Sequence, residues 1–309
     1  MTKILLTGGA GFIGSAVLPE LQQHGYDVYL VDNLSFGSRK FIEVDDDHFF
    51  EEDIRDGQRM QAIMQQVQPD WVIHLAAVHF IPYCNEHPYE AFDINVKGTI
   101  NLLDAAKACP SVKKFFFAST AAVYPIYDDP IHEDKPLGPL DVYGLSKLTG
   151  ERLMHEFHLE TGLPAVVCRF FNAFGPNETN PHLIPEVQDQ INQGKRSIQL
   201  GNVEPKRDFI HTSDMARAVR MLMEQIETGC EAFNLGRGIE YSVREVVEAF
   251  CRQIGEPIQI EQDPKRVRKT DRMHLLADIQ KLKAATGWEP KVSLDEGIAT
   301  LIHQPAYEA

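Results

Sequence analysis

Short, mostly apolar runs at residues 3–7, 28–31, 71–75, 113–118 and 165–169 recur through the first half of the chain, each followed by a helix-length stretch of mixed polarity. Residues that are apolar at successive rather than alternate positions suit a strand buried on both faces, the environment of a parallel sheet. Helices are predicted between them at 11–24, 58–68, 89–109 and 143–161. This alternation predicts an α/β fold with a Rossmann-type, doubly wound parallel sheet. Beyond Asn172 the pattern changes. Connections such as Gly175-Pro176-Asn177 and Asn180-Pro181 separate shorter helices predicted near 183–193, 213–227 and 242–254. That half reads as a smaller C-terminal α/β lobe, with a strand near 232–235 returning to the sheet.

Composition narrows the class. An apolar fraction of 43% and a charged fraction of 24% over 309 residues are ordinary for a globular protein. The first apolar run, Ile4-Leu5-Leu6, is shorter than a signal-peptide core or a membrane span, so neither export nor insertion is expected. Five cysteines without a CxxC suit a reducing compartment, and a cytoplasmic location is expected. A net charge of −15 disfavours nucleic acid as a partner. An anionic ligand would then need a local basic cluster, and residues 264–271 supply one with Lys265, Arg266, Arg268 and Lys269. That stretch has two rival readings, a solvated charge run and a nucleic-acid patch, and the net charge disfavours the second.

The first predicted strand runs into Gly8-Gly9-Ala10-Gly11-Phe12-Ile13-Gly14, which meets both a GxGxxG and a GxxGxxG spacing. Glycines there permit a tight turn and let backbone N–H groups reach a pyrophosphate at the start of a helix. The second strand ends at Asp32, where a dinucleotide fold places the carboxylate that binds the adenosine ribose; its charge repels a 2′-phosphate and favours NAD over NADP. Asn33 comes next. Asp53-Ile54 could bracket the adenine, or continue the acidic loop begun by Glu51-Glu52. Residues 1–171, with a return near 211–235, are therefore expected to bind NAD, and 172–309 mainly the substrate.

Tyr143 and Lys147 stand one helical turn apart on a predicted helix and share a face. A phenol with a pKa near ~10 is a poor base at neutral pH, and an ammonium beside it lowers that value. Such a pair can take the proton of a carbinol while hydride leaves the same carbon. With nine tyrosines a YxxxK is weak by itself. Its place after the strand at 113–118 and the segment Ser119-Thr120-Ala121-Ala122-Val123-Tyr124 adds weight, because strand carboxyl ends face the ligand crevice of such sheets.

Taken together, Gly8 to Gly14, Asp32-Asn33, Asp53-Ile54, His74-Leu75-Ala76-Ala77, Asn95-Val96, Ser119 to Tyr124, Tyr143 to Lys147, Arg169-Phe170-Phe171-Asn172 and Arg207 to His211 resemble the extended short-chain dehydrogenase/reductase family. Within it they are similar to NAD-dependent sugar-nucleotide epimerases of the UDP-glucose 4-epimerase type. The resemblance implies a retained NAD, a nucleotide-diphosphate sugar as partner, a transient 4-keto sugar and a homodimer. It implies Tyr143 as general base, Lys147 as its electrostatic partner and Thr120 on the reacting hydroxyl. Leu75, Ala76, Ala77, Asn95, Ser119 and Phe170 fall where relatives contact the cofactor. Tyr124, Asn172, Arg207 and Arg268 fall on the nucleotide-sugar side.

The two positions after Thr120 separate the reactions of that family. Dehydratases carry a Thr-Asp-Glu arrangement, and decarboxylating members a Glu; here Ala121 and Ala122 stand instead. Oxidation and return of hydride at C4 needs neither carboxylate. The runner-up is a 4-ketoreductase that exchanges its cofactor. His79 is either a substrate contact or a buried loop histidine, and His182 lies where the lobe begins. Cys84 and His87 beside His79 offer too few ligands, so no metal is expected. The dimer would use the helices at 89–109 and 143–161, with Leu148, Leu153, Met154 and Phe157 as apolar positions.

Overall fold

A computed structural model of the chain describes residues 1–264 and 272–302. Its strands are β1 (Lys3–Thr7), β2 (Asp27–Asp32), β3 (Phe49–Glu51), β4 (Trp71–His74), β5 (Lys114–Thr120), β6 (Ala165–Phe170), β7 (Asn172–Phe174), β8 (Ser197–Leu200), β9 (Lys206–His211), β10 (Cys230–Leu235), β11 (Glu240–Ser242) and β12 (Gln259–Gln262). Seven of them form one parallel sheet in the order β3-β2-β1-β4-β5-β6-β10. The chain winds outward from β1 in one direction, then returns and winds outward in the other. The switch between β1 and β4 opens a crevice at the strands' carboxyl ends, where such sheets hold their ligands.

Helices cover both faces: α1 (Gly14–Gln23), α2 (Gly57–Val67), α3 (Ile81–Glu86), α4 (Pro88–Phe92), α5 (Gly98–Lys107), α6 (Val142–Thr161), α7 (Leu183–Asn192), α8 (Thr212–Gln225), α9 (Val243–Ile254), α10 (Gln280–Thr286) and α11 (Leu294–Ile302). Consecutive residues of one strand serve opposite faces, as a period of two requires. Phe116 joins Leu6, Val17 and Leu222 in the core under α1 and α8. Phe115 and Phe117 join Leu5, Leu102 and Phe157 in the core under α2, α5 and α6. Every residue of β5 is buried, which is why its sequence lacks alternation.

The single helix expected over 89–109 is instead interrupted. Between α4 and α5, Asp93–Lys97 is π-helical. The wider turn presents the Asn95 carboxamide to the Val78 backbone, donating to its carbonyl and accepting from its N–H at 2.9 Å each. Single π turns often mark such functional insertions.

After β6 the chain builds the lobe. β9 lies between β7 and β11, and β8 pairs with β12. Phe174, Ile198, Phe209, Val246, Phe250 and Ile298 form its core. β10 returns to the main sheet beside β6, in register from Cys230 opposite Ala165 to Leu235 opposite Phe170. Among the described residues no helix is long and apolar enough to cross a membrane.

Candidate active site

The turn after β1 can close only around glycine. Gly8 has φ +72°, and a Cβ there would lie 2.6 Å from the Ala76 nitrogen. A Cβ on Gly14 would sit on the Gly8 carbonyl oxygen and 2.7 Å from Gly9 Cα. The loop therefore delivers the start of α1 to the crevice. Gly8, Gly11, Phe12, Ile13 and Gly14 line a cleft of about 1280 Å3. That cradle and the volume of the cleft fit a dinucleotide, a ligand whose diphosphate is held by backbone N–H groups and a helix N-terminus.

Asp32 ends β2 on the floor of the cleft. Its oxygens accept from Ala10 N at 3.0 Å and Leu34 N at 2.9 Å, which ties the first two strand-end loops together. Burial raises its pKa, and those two N–H groups oppose the rise. Asp53 also lines the cleft, charged and fixed: Arg55 grips both its oxygens, at 3.0 and 2.7 Å, and Asn33 donates to it at 2.9 Å. The Arg55 guanidinium first, then Asn33, hold its pKa at about 2. Asn33, Ile54, Leu75, Ala76, Ala77, Ser119 and Phe170 line the same cleft.

Two further glycines bring the chemistry together. A Cβ on Gly144 would strike the Ala122 carbonyl and one on Gly150 the Phe117 ring, so α6 lies directly against β5. Asp141 caps α6 by accepting from Gly144 N at 2.7 Å. Tyr143, Lys147 and Thr120 consequently line one stretch of the cleft. Burial drives the Tyr143 pKa up from 10, and the Thr120 hydroxyl, hydrogen-bonded to the phenol, pulls it back. The expected lowering by Lys147 is not found in the protein alone. Burial has pushed that amine down to about 7, with Phe117's ring 4.8 Å from Nζ. Desolvation is the largest cause for both groups, and neither shifts the other.

That lysine makes stability pH-dependent. An unfolded lysine keeps its proton to about pH 10.4, so between about pH 7 and pH 10.4 the unfolded chain binds more protons and folding is favoured as pH rises. Below about pH 7 both states are protonated, and the folded protein carries the full cost of a buried ammonium. Lys147→Met should lose turnover yet raise the melting temperature of the cofactor-free protein by a few degrees at about pH 6. The gain should shrink toward about pH 9, which thermal melts across that range will check.

Two expected contacts lie elsewhere. Asn95 is 1% exposed and does not reach the cleft, because its amide is committed to Val78 and to Ser146 Oγ at 3.0 Å. It holds the loop after β4 against the Tyr143 helix. Tyr124 is fully buried in the core rather than facing substrate. Its hydroxyl accepts from Arg169 at 2.7 Å and donates to Asn234 at 2.8 Å. Arg169 in turn grips Glu151 at 2.8 and 2.9 Å, and Glu151 accepts from Ser119. Glu151 escapes a motif reading, and Arg169 enters one only as the first residue of the segment Arg169-Phe170-Phe171-Asn172, with no role of its own. Yet Glu151 lies one turn beyond Lys147 on the same helix face, a spacing that signals it.

On the lobe side Asn172 and Arg207 line the cleft. Arg207 donates to the Lys206 and Arg272 carbonyls at 2.9 and 2.6 Å. Arg272, unmarked by the motif reading, lines it too, anchored to the Tyr124 and Pro125 carbonyls; burial, then Arg207's charge, lowers its pKa. Two guanidiniums so placed suit a diphosphate. Arg268 and the rest of its basic stretch lie outside the described residues. His79 and His182 line the cleft, their rings 5.8 Å apart. Of the apolar residues expected at a dimer face, Met154 and Phe157 are instead buried against the sheet, and Leu148 and Leu153 pack on the same cores.

A family model described as GDP-mannose 4,6 dehydratase matches residues 5–301. The chain is 35% identical over 306 residues to a UDP-glucose 4-epimerase of Corynebacterium glutamicum, covering 94% of this chain and 91% of that protein. Among solved structures it is similar to the UDP-glucose 4-epimerase of Thermotoga maritima with UDP-glucose, with TM-score 0.87, 32% identity and 97% of each chain covered. It is also similar to the UDP-glucose 4-epimerase of Brucella ovis in complex with NAD, with TM-score 0.90, 30% identity and 98% of each chain covered.

Proposed function

The chain belongs to the extended short-chain dehydrogenase/reductase family of NAD-dependent sugar-nucleotide epimerases and dehydratases, and we propose that it inverts C4 of a UDP-hexose through a transient 4-keto sugar. One observation carries this choice within the family. Tyr143, Thr120 and Lys147 share the cleft with Ala121 and Ala122, which supply no carboxylate next to Thr120 for eliminating water.

NAD, when bound, supplies the acceptor that takes hydride from C4 and returns it. The loop from Gly8 to Gly14 would hold its diphosphate, Asp32 its adenosine ribose, and Ala76, Ala77, Ser119 and Phe170 the remainder. Tyr143 takes the proton of the C4 hydroxyl, which Thr120 orients, as the C4–H bond breaks. Lys147 secures the ribose, and cofactor charge beside Tyr143 offsets the desolvation that otherwise keeps the phenol protonated. Asn172, Arg207 and Arg272 hold the diphosphate of the sugar. Inversion at C4 requires the keto sugar to present its other face to Tyr143 before proton and hydride return.

Incubating the protein, without added NAD, with UDP-, dTDP-, CDP- and GDP-sugars tests this reading. Isomers of unchanged mass from the UDP-sugars are expected. A product lighter by water, or turnover that needs a keto sugar and added NADPH, would defeat it.

Two coarser features complete the proposal. The five free cysteines support a cytoplasmic, reducing setting. A homodimer is supported by exposed apolar side chains on neighbouring helices: Tyr89 on α4, Ile100 on α5, and Leu145 and Leu159 on α6.

A further inference from the structure

Spacing along the chain sets Cys84 and His87 beside His79, but the fold brings other ligands to that ring. His79 comes after β4 on the sheet side of the cleft, while Glu178 and His182 lie between β7 and α7, where the lobe begins. One ligand atom from each of the three lies within 4.8 Å of the others. His182 Nδ1 is 3.4 Å from Glu178 Oε1, and the Glu178 side chain is only 5% exposed. Cys84, by contrast, is spent within the core on the Val78 carbonyl.

We propose that His79, Glu178 and His182 form a binding site for a divalent transition-metal ion of the zinc class, clasping the two sides of the cleft together. Two imidazoles and one carboxylate are a donor set that borderline ions such as Zn2+ take in four-coordinate geometry, leaving one position open. Hard cations need six or more oxygens and find too few here. Ligand atoms around tetrahedral zinc stand about 3.3 Å apart, given metal–nitrogen bonds of about 2.0–2.1 Å. The ligand atoms lie within 4.8 Å of one another, so binding an ion would draw them together by at most about 1.5 Å.

The surroundings favour ligation. A histidine binds metal only through a ring nitrogen free of its proton. Asn180, from the segment that carries Glu178 and His182, places its carboxamide 3.1 Å from His79 Nε2. A polar partner of this kind orients a ligating ring, and a rotated amide would present oxygen instead of nitrogen. The site stands beside Tyr143, Thr120 and Lys147 and takes no part in proton or hydride transfer. It therefore does not depend on the epimerase reading.

The test is a cobalt titration of the tag-free, chelator-treated full chain. Wild-type protein should show the visible absorption of four-coordinate Co2+, saturating at one equivalent per chain and displaced by Zn2+. Glu178→Gln and His182→Ala should each lose that site, and Zn2+ should raise the melting temperature of wild type but of neither variant. His182 is partly exposed and Glu178→Gln keeps its shape, so two independent variants guard against a folding failure. Absence of stoichiometric binding, binding unchanged in either variant, or an intense sulfur-to-cobalt band placing the ion on cysteine would each overturn the proposal.

Discussion

Tyr143→Phe is expected to cut kcat by about 10²–10⁴-fold while leaving NAD on the protein. The substitution removes one hydroxyl and keeps the ring that fills the space beneath Thr120. The glycine loop, Asp32 and Asp53 stay as they are, so the groups proposed to hold the cofactor are untouched. What disappears is the group that accepts the C4 proton, and the Thr120 hydroxyl that bonds the phenol is too weakly acidic to take its place as a base. Steady-state rates with UDP-glucose, paired with the nicotinamide released by denaturing the purified protein, separate chemistry from binding. Joint loss of turnover and NAD would make Tyr143 a structural residue of the cofactor pocket.

Gly14→Ala should strip most of the NAD from the protein. The new methyl would collide with backbone, the Gly8 carbonyl and Gly9 Cα, and backbone cannot rotate aside as a side chain can. The loop must open, and the N–H groups at the start of α1 then no longer converge. NAD affinity should fall at least about tenfold, which corresponds to about 1.4 kcal/mol of binding free energy, and copurifying NAD should fall with it. Gly25→Ala is the control. Its φ of +79° also disfavours alanine, but nothing lies within 4 Å of the added methyl, so it should cost about 1–2 kcal/mol of stability and keep the cofactor.

The parts of this site that are legible in the sequence are those whose geometry is local. The glycine loop joins a strand to a helix within a few residues, and Tyr143 and Lys147 share a face because a helical turn places them there. Motif reading misjudges residues that hold the site rather than line it. Asn95 and Tyr124 sit inside matching segments, yet their polar atoms are committed to Val78, Ser146, Arg169 and Asn234. The π turn at Asn95 is invisible to a helical period, since one wider turn does not disturb an apolar stripe. β8, β9 and β12 escape the hydrophobic pattern because they carry few apolar residues, Ile198 and Leu200 in β8, Phe209 and Ile210 in β9 and Ile260 in β12. Contacts made across the cleft are the least legible: His79 and Asn180 meet although 101 positions separate them.

The most direct test of hydride out and hydride back uses a UDP-hexose carrying deuterium at C4, incubated without added NAD. The account predicts an equilibrium mixture of C4 epimers of unchanged mass, each retaining the deuterium at C4. Deuterium washed into the medium, or transferred to nicotinamide that leaves the protein, would contradict it.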